Sequence, residues 1–176
     1  MSSDPPHKRA YLDRARANTQ RRLKDYQWFV GPKSQLRQRL SHFEALNRCF
    51  SKLEQERKVD LANANILDVG SHAGDGLGRL VGLGFSPRQL SGIDFVEEFI
   101  EAGREKYPGF GLYHGDATDM DIFEDERFDI TMLSFIFSLI AEEKVKSDIA
   151  DEVLRVTKVG GHILVFDWVL GRTSAT

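Results

Sequence analysis

The sequence lacks the features that would take it out of the ordinary globular class. Its single cysteine, Cys49, excludes an internal disulfide, and no CxxC or HxxxH pair offers metal ligands, so a reducing compartment, the cytoplasm, is expected and no metal is implied. No apolar run approaches the roughly 20 residues of a membrane span. The polar start MSSDPPHKRA lacks the apolar core of a signal peptide. Internal repeats and low-complexity tracts are absent. What remains is 176 residues with 41% hydrophobic content, enough for one domain with a real core.

The net charge of -3 conceals an asymmetry. Residues 1–58 carry 14 Lys and Arg against 6 Asp and Glu, and the remainder 10 against 21. A basic segment can seek an acidic partner. Here Arg14, Arg21, Arg37 and Arg48 are dispersed along helical stretches, and the aromatic interleaving of a single-strand platform is missing, so nucleic acid is not the expected partner.

The pattern divides the chain into a tail and helical cap over 1–58 and a core over 59–176. Residues 1–9 read as disordered, residues 10–27 as a polar helix, and DYQWFVGP as an anchored turn. From Ser34 to about Arg57, Leu36, Leu40, Phe43, Leu46, Phe50 and Leu53 recur at helical spacing, which predicts one apolar face. From Asn65 onward strands and helices alternate. NILDVG, LSGIDF, FGLYHGDA, FDITMLSF and HILVFDW read as strands. Glu97 to Tyr107 and Glu142 to Thr157 read as helices, the second broken by Val159-Gly160-Gly161, and a glycine-weakened helix holds Leu77 and Leu80. An acidic loop with Asp119, Asp121, Glu124, Asp125 and Glu126 precedes the fourth strand, which is apolar enough to be central. The alternation predicts an α/β fold, a doubly wound, mainly parallel sheet with helices on both faces.

Ligands of such sheets bind outside the carboxyl ends of the strands, at the switch in strand order. Polar residues fall there strand by strand: Asp68 and Gly70, Asp94, Asp116, Ser134 and Asp167. Asp94 lies 24 residues after Gly70, near the interval at which an acid after the second strand accepts from ribose hydroxyls. Asp94 alone reads equally well as a cap on the helix beginning near Val96, and the pairing of Gly70 with Asp94 favours an adenosine-type ligand. The dinucleotide fingerprint G-x-G-x-x-G cannot be laid over the loop, because His72 and Arg79 stand where glycines are required.

ILDVGSHAG resembles the first motif of class I S-adenosylmethionine-dependent methyltransferases, L-D-x-G-x-G-x-G, and the chain looks methyltransferase type 11-like. GIDF, HGDA, FDITMLSFIFSLI and LRVTKVGGHILVFDW resemble the family's later motifs in order, over about residues 60–170. The resemblance implies a Rossmann-like methyltransferase fold and S-adenosyl-L-methionine as cofactor, with S-adenosyl-L-homocysteine as product. It implies Asp68 and Gly70 at the methionine end of the cofactor, with Ser71, His72 and Gly74 forming the loop around it. Asp94 would take the ribose hydroxyls, Phe95 would pack on the adenine, and Asp116 would accept from its amino group. Ala117 would supply a neighbouring amide, and Ser134 would sit beside the methionine moiety. The fourth and fifth strands are similar to those of methyltransferases of bacterial surface-polysaccharide synthesis, which implies a small-molecule or saccharide acceptor, a hydroxyl.

Three departures qualify the likeness. His72 replaces the middle glycine, which is compatible with binding if its backbone stays at negative φ and its ring turns away from the methionine moiety. Val159 replaces a proline. The chain stops soon after strand five, so a C-terminally truncated form is expected, or else a homo-oligomer or partner chain covering the strand-five edge. Because the sulfonium methyl is already activated, catalysis can rest on alignment, with a base added for a hydroxyl. His72, His114, Asp167 and, last in order, His42 are candidate bases, and none is singled out. The helix preceded by Trp28 and Phe29 is read as a lid over the pocket in the family's manner, with core packing an equally good account of its apolar face. The second functional reading is a non-catalytic or truncated methyltransferase-like domain acting as a binding or assembly module.

Overall fold

The computed structural model describes residues 5–6, 8–14, 17, 36–56 and 58–167. The anchored turn, the lid residues Trp28 and Phe29, and Trp168 at the end of the expected fifth strand lie outside these. The elements are α1 (Leu36–Gln55), β1 (Ile66–Val69), α2 (Asp75–Val81), β2 (Leu90–Asp94), α3 (Glu97–Lys106), β3 (Gly111–His114), β4 (Phe128–Ser134), α4 (Glu143–Val156) and β5 (Thr157–Phe166). All five strands are parallel, in the order β3-β2-β1-β4-β5.

The two-residue period of the strands sorts their side chains onto two cores. Ile66, Leu90, Ile130 and Met132 face α1, α2 and α3, through Phe50, Leu77 and Ile100 among others. Leu67, Val69, Ile93 and Leu133 face α4, whose Val145, Ile149, Val153 and Val156 recur at helical spacing. β1 and β4 are buried on both faces, as expected of central parallel strands.

Three expectations need correction. Residues 6 and 8–9, read as disordered, are helical and continue through residue 14, because Lys8 pairs with Asp116 at 3.2 Å and Tyr11 packs against the core on the α4 side. The apolar face of α1 runs through His42, Leu46, Phe50 and Leu53, while Leu40 is 52% exposed. Steps of four, four and three from His42 follow the 3.6-residue turn, and Leu40 lies off that stripe. Third, Val159-Gly160-Gly161 does not separate helix from strand. α4 ends at Val156 and β5 begins at once, with the glycines in a bulge between the pairs Phe128↔Thr157 and Ile130↔His162. Gly160 has φ +82, and a β-carbon on Gly161 would meet the carbonyl oxygens of Asp129 and Lys158 at 2.9 Å.

The crossover from β3 to β4 is an irregular acidic loop pinned to α4 by one side chain. Arg155 donates to the carbonyls of Met120 and Phe123, to Asp125 and to both oxygens of Glu152, while Glu152 Oε2 accepts from the Met120 amide at 2.6 Å. Met120 and Phe123 are thereby held in the core.

Candidate functional site

The chain runs outward from β1 to β2 to β3 and returns to lay β4 on the other side of β1. The switch point is therefore the crevice between the carboxyl ends of β1 and β4. Val69 pairs with Leu133, so the next residues along, Gly70 and Ser134, form its two lips.

Gly70 and Gly74 have φ of +72 and +77, where glycine costs nothing and other residues are strained. A β-carbon at Gly70 would collide with the Ile136 side chain, so the first glycine serves close packing across the crevice. The loop between them is tied to β2. The amides of Gly70 and Ser71 donate to Ile93 O at 2.8 and 3.1 Å, and the amide of His72 donates to Asp94 Oδ2 at 2.9 Å. Asp94 Oδ1 accepts from Val96 N at 3.0 Å. An ionised carboxylate is acceptor-only, the chemistry that hydroxyl donors of a ligand require.

His72 departs from the expectation of a negative φ. Its φ is +54, in the left-handed region that favours glycine, and the bond from its amide to Asp94 offsets the strain. The ring lies over Phe99 of α3 with centroids 3.5 Å apart. Ser71 is buried with its hydroxyl against Gly92 of β2, so its side chain packs inward and its backbone shapes the loop.

Asp68 is buried below the start of α2, with Oδ2 3.1 Å from the place a β-carbon on Gly76 would take. Burial, and then the neighbouring charge of Asp94, push its carboxyl up to about 7. Asp116 Oδ1 accepts from the amide and the hydroxyl of Thr118, both at 2.8 Å, and Oδ2 faces Lys8. Tyr11 stands between these acids. Its ring is 6.3 Å from Phe95 and packs in the cluster that includes Ala117 and Ile136. Burial first, then Asp116 and Asp94, raise its phenol to about 12. Residues 8–14 thus cover the side of the site where Asp94, Phe95, Asp116 and Ala117 meet. Sequence periodicity gave no signal of this.

The candidate bases are dispersed. His114 Nε2 lies 3.1 Å from Phe95 O, outside the crevice, and Asp167 Oδ2 accepts from Ser138 N at 3.0 Å, capping the turn after β4. His42, placed last by the sequence, reaches the crevice itself, with Nε2 3.1 Å from Ser134 Oγ. A hollow of about 480 Å³ lined by Asn47, Phe50, Glu54 and Phe85 opens at the opposite, amino-terminal side of the strands, away from all these groups. Among the described residues no group of three or more His, Cys, Asp or Glu could hold a metal ion, and no helix is long and apolar enough to cross a membrane.

The positive-φ glycine loop, the acid at the end of β2 and a second acid after β3 have the chemistry an adenosine-bearing cation requires: acceptors for hydroxyls and negative charge. A family profile described as a methyltransferase domain matches residues 66–161, and the chain belongs to that family, whose cofactor is S-adenosylmethionine. Curated relatives agree. The chain is 32% identical over 111 residues to a demethylmenaquinone methyltransferase of Clavibacter sepedonicus, covering 61% of this chain and 42% of the relative. It is 33% identical over 115 residues to a phosphatidylethanolamine N-methyltransferase of Cereibacter sphaeroides, covering 61% and 52%. The chain thus spans about half the length of these relatives. Among solved structures, a Pyrococcus horikoshii protein superposes with a TM-score of 0.62 at 23% identity, covering 80% of this chain and 57% of that one. A SAM-dependent methyltransferase of Methanosarcina mazei gives 0.53 at 24%, covering 62% and 54%. At these identities the structural likeness speaks for the fold, the doubly wound sheet expected from the strand pattern and the Rossmann-like methyltransferase fold implied by the resemblance.

Proposed function

We propose that this chain binds S-adenosylmethionine at the β1–β4 switch point and transfers its methyl group to a small-molecule acceptor. The observation that carries this reading is the joining of the Gly70–Gly74 loop to the β2 acid through the His72 amide and Asp94. When bound, the cofactor supplies a methyl on a sulfonium, whose departure leaves a neutral thioether. Asp94 would take the ribose hydroxyls, Phe95 would pack on the adenine, Asp116, shared with Lys8, would accept from its amino group, and Ala117 would supply a neighbouring amide. Asp68 offers charge to the methionine end, while Gly70, Ser71, His72 and Gly74 shape the loop around it. Ser134 would sit beside the methionine moiety.

The relatives named above act on demethylmenaquinone and phosphatidylethanolamine by their names, and the likeness of β4 and β5 to polysaccharide-pathway enzymes favours a hydroxyl acceptor, including one on a saccharide. No catalytic base is assigned, since the His72 ring faces Phe99, His114 faces Phe95 O and Asp167 is engaged with Ser138. The reading as a binding or assembly module, with a second copy or a partner chain along β5, draws on one observation. β5 is an outer strand with Val159 87% and Val165 55% exposed.

The test is formation of S-adenosylhomocysteine from S-adenosylmethionine with quinol, amine-headgroup and saccharide acceptors offered in turn. Turnover with one acceptor class supports the enzyme reading. Cofactor binding without turnover on any of them favours the module.

A further inference from the structure

His42 is the one buried histidine among the described residues, and its place on α1 has a specific consequence at the crevice. Its ring is wedged between two aromatics, with centroids 4.4 Å from Phe166 and 5.6 Å from Phe135, which are themselves 5.1 Å apart. Phe135 holds φ +59, and its amide donates to Phe166 O at 2.7 Å. A non-glycine residue in that region is maintained only where its surroundings over-determine it. The carboxyl ends of β4 and β5 are thus locked around the imidazole, whose Nε2 lies 3.1 Å from Ser134 Oγ.

We propose that His42 is a positioning residue for the cofactor: its Nε2 accepts a hydrogen bond from the Ser134 hydroxyl, which turns the oxygen lone pairs toward the β1–β4 crevice. The inference rests on the reading of that crevice as an S-adenosylmethionine site. The methionine end of that ligand carries positive charge at the sulfonium and the ammonium. A hydroxyl with its hydrogen aimed at the crevice would present the wrong end of its dipole; one with its hydrogen given to His42 presents the right one. Such an acceptor must also be uncharged, because an imidazolium here would repel the ligand. Burial, with Arg79 as a further cationic influence, lowers the ring to about 4, so it stays neutral at ordinary pH. The tautomer this requires carries its proton on Nδ1.

Two measurements test the proposal. Nitrogen-15 NMR of the ligand-free chain should show His42 Nε2 unprotonated and Nδ1 protonated between pH 6 and 8; a proton on Nε2 overturns it. Calorimetry with S-adenosylhomocysteine should show Ser134→Ala and His42→Ala each weakening binding about tenfold, the scale of one hydrogen bond. The double variant should be no weaker than Ser134→Ala alone, and His42→Gln, whose amide oxygen can accept, should recover most of the loss. Wild-type affinity in His42→Ala, or fully additive losses, overturns the proposal. If His42→Ala fails to fold, His42→Gln and the tautomer decide. A wild-type chain that binds no S-adenosylhomocysteine sinks the cofactor reading itself, whereas normal binding with a proton on Nε2 sinks only the role of His42.

Discussion

The amide of His72 donates to Asp94 Oδ2 at 2.9 Å, joining the glycine loop to the end of β2. The second oxygen of the same carboxylate accepts from Val96 N, so one side chain fixes the loop and the entry to α3 together. Asp94→Ala leaves two partly buried amides without their acceptor, at about 1–3 kcal/mol for each group left unsatisfied. A lower melting temperature is expected, together with a loss of S-adenosylhomocysteine affinity of at least about tenfold. Unchanged affinity in a folded variant would remove Asp94 from the site.

The His72 backbone already sits where glycine belongs. His72→Gly relieves about 1 kcal/mol of left-handed strain and forfeits a ring contact of similar worth with Phe99. Near-neutral stability and cofactor affinity within about threefold are expected, since the amide bond to Asp94 is kept. His72→Val should be clearly destabilised, because a β-branched residue resists φ +54. A large loss of turnover in His72→Gly at unchanged affinity would instead make the ring part of the chemistry.

Asp68 gives the site a pH dependence. Its carboxyl ordinarily titrates at 3.8 and in the folded chain at about 7, so the folded state binds its proton more tightly. Stability from this group is therefore lost as pH rises from about 4 through about 7 and is flat above. A cationic ligand favours the carboxylate, so S-adenosylmethionine affinity should rise over the same upper range. Asp68→Asn should raise the melting temperature more at pH 8 than at pH 5 and flatten the affinity profile. Thermal melts and calorimetry at the two pH values check both signs.

Arg155 gathers the β3–β4 crossover with a planar fork of donors that lysine cannot reproduce. Arg155→Lys should therefore recover little of the loss seen in Arg155→Ala, expected at about 1–3 kcal/mol by denaturant unfolding. Faster hydrogen exchange at the Met120 amide, which Glu152 holds, should accompany it.

The strands and their carboxyl-end acids were legible because parallel strands buried on both faces are short apolar runs, and because Asp68, Asp94 and Ser134 punctuate their ends. What escaped the sequence depends on contacts between distant segments. His42 broke the apolar spacing of α1 that Leu40 seemed to complete, and only the packed structure shows a polar ring on the core stripe. Likewise Lys8 and Tyr11, in a stretch without apolar periodicity, meet Asp116 and Phe95 across the fold. The Gly160-Gly161 pair read as a helix break because a bulge within a strand and a turn before it use the same residues.

The loop from Gly70 to Gly74 and the acids at Asp68, Asp94 and Asp116 are proposed to hold an adenosine-bearing methyl donor together. Isothermal titration of the chain with S-adenosylhomocysteine tests it most directly. Saturable one-to-one binding, weakened by Asp94→Ala and competed by S-adenosylmethionine, is the expected result; a folded chain that binds neither compound would contradict it.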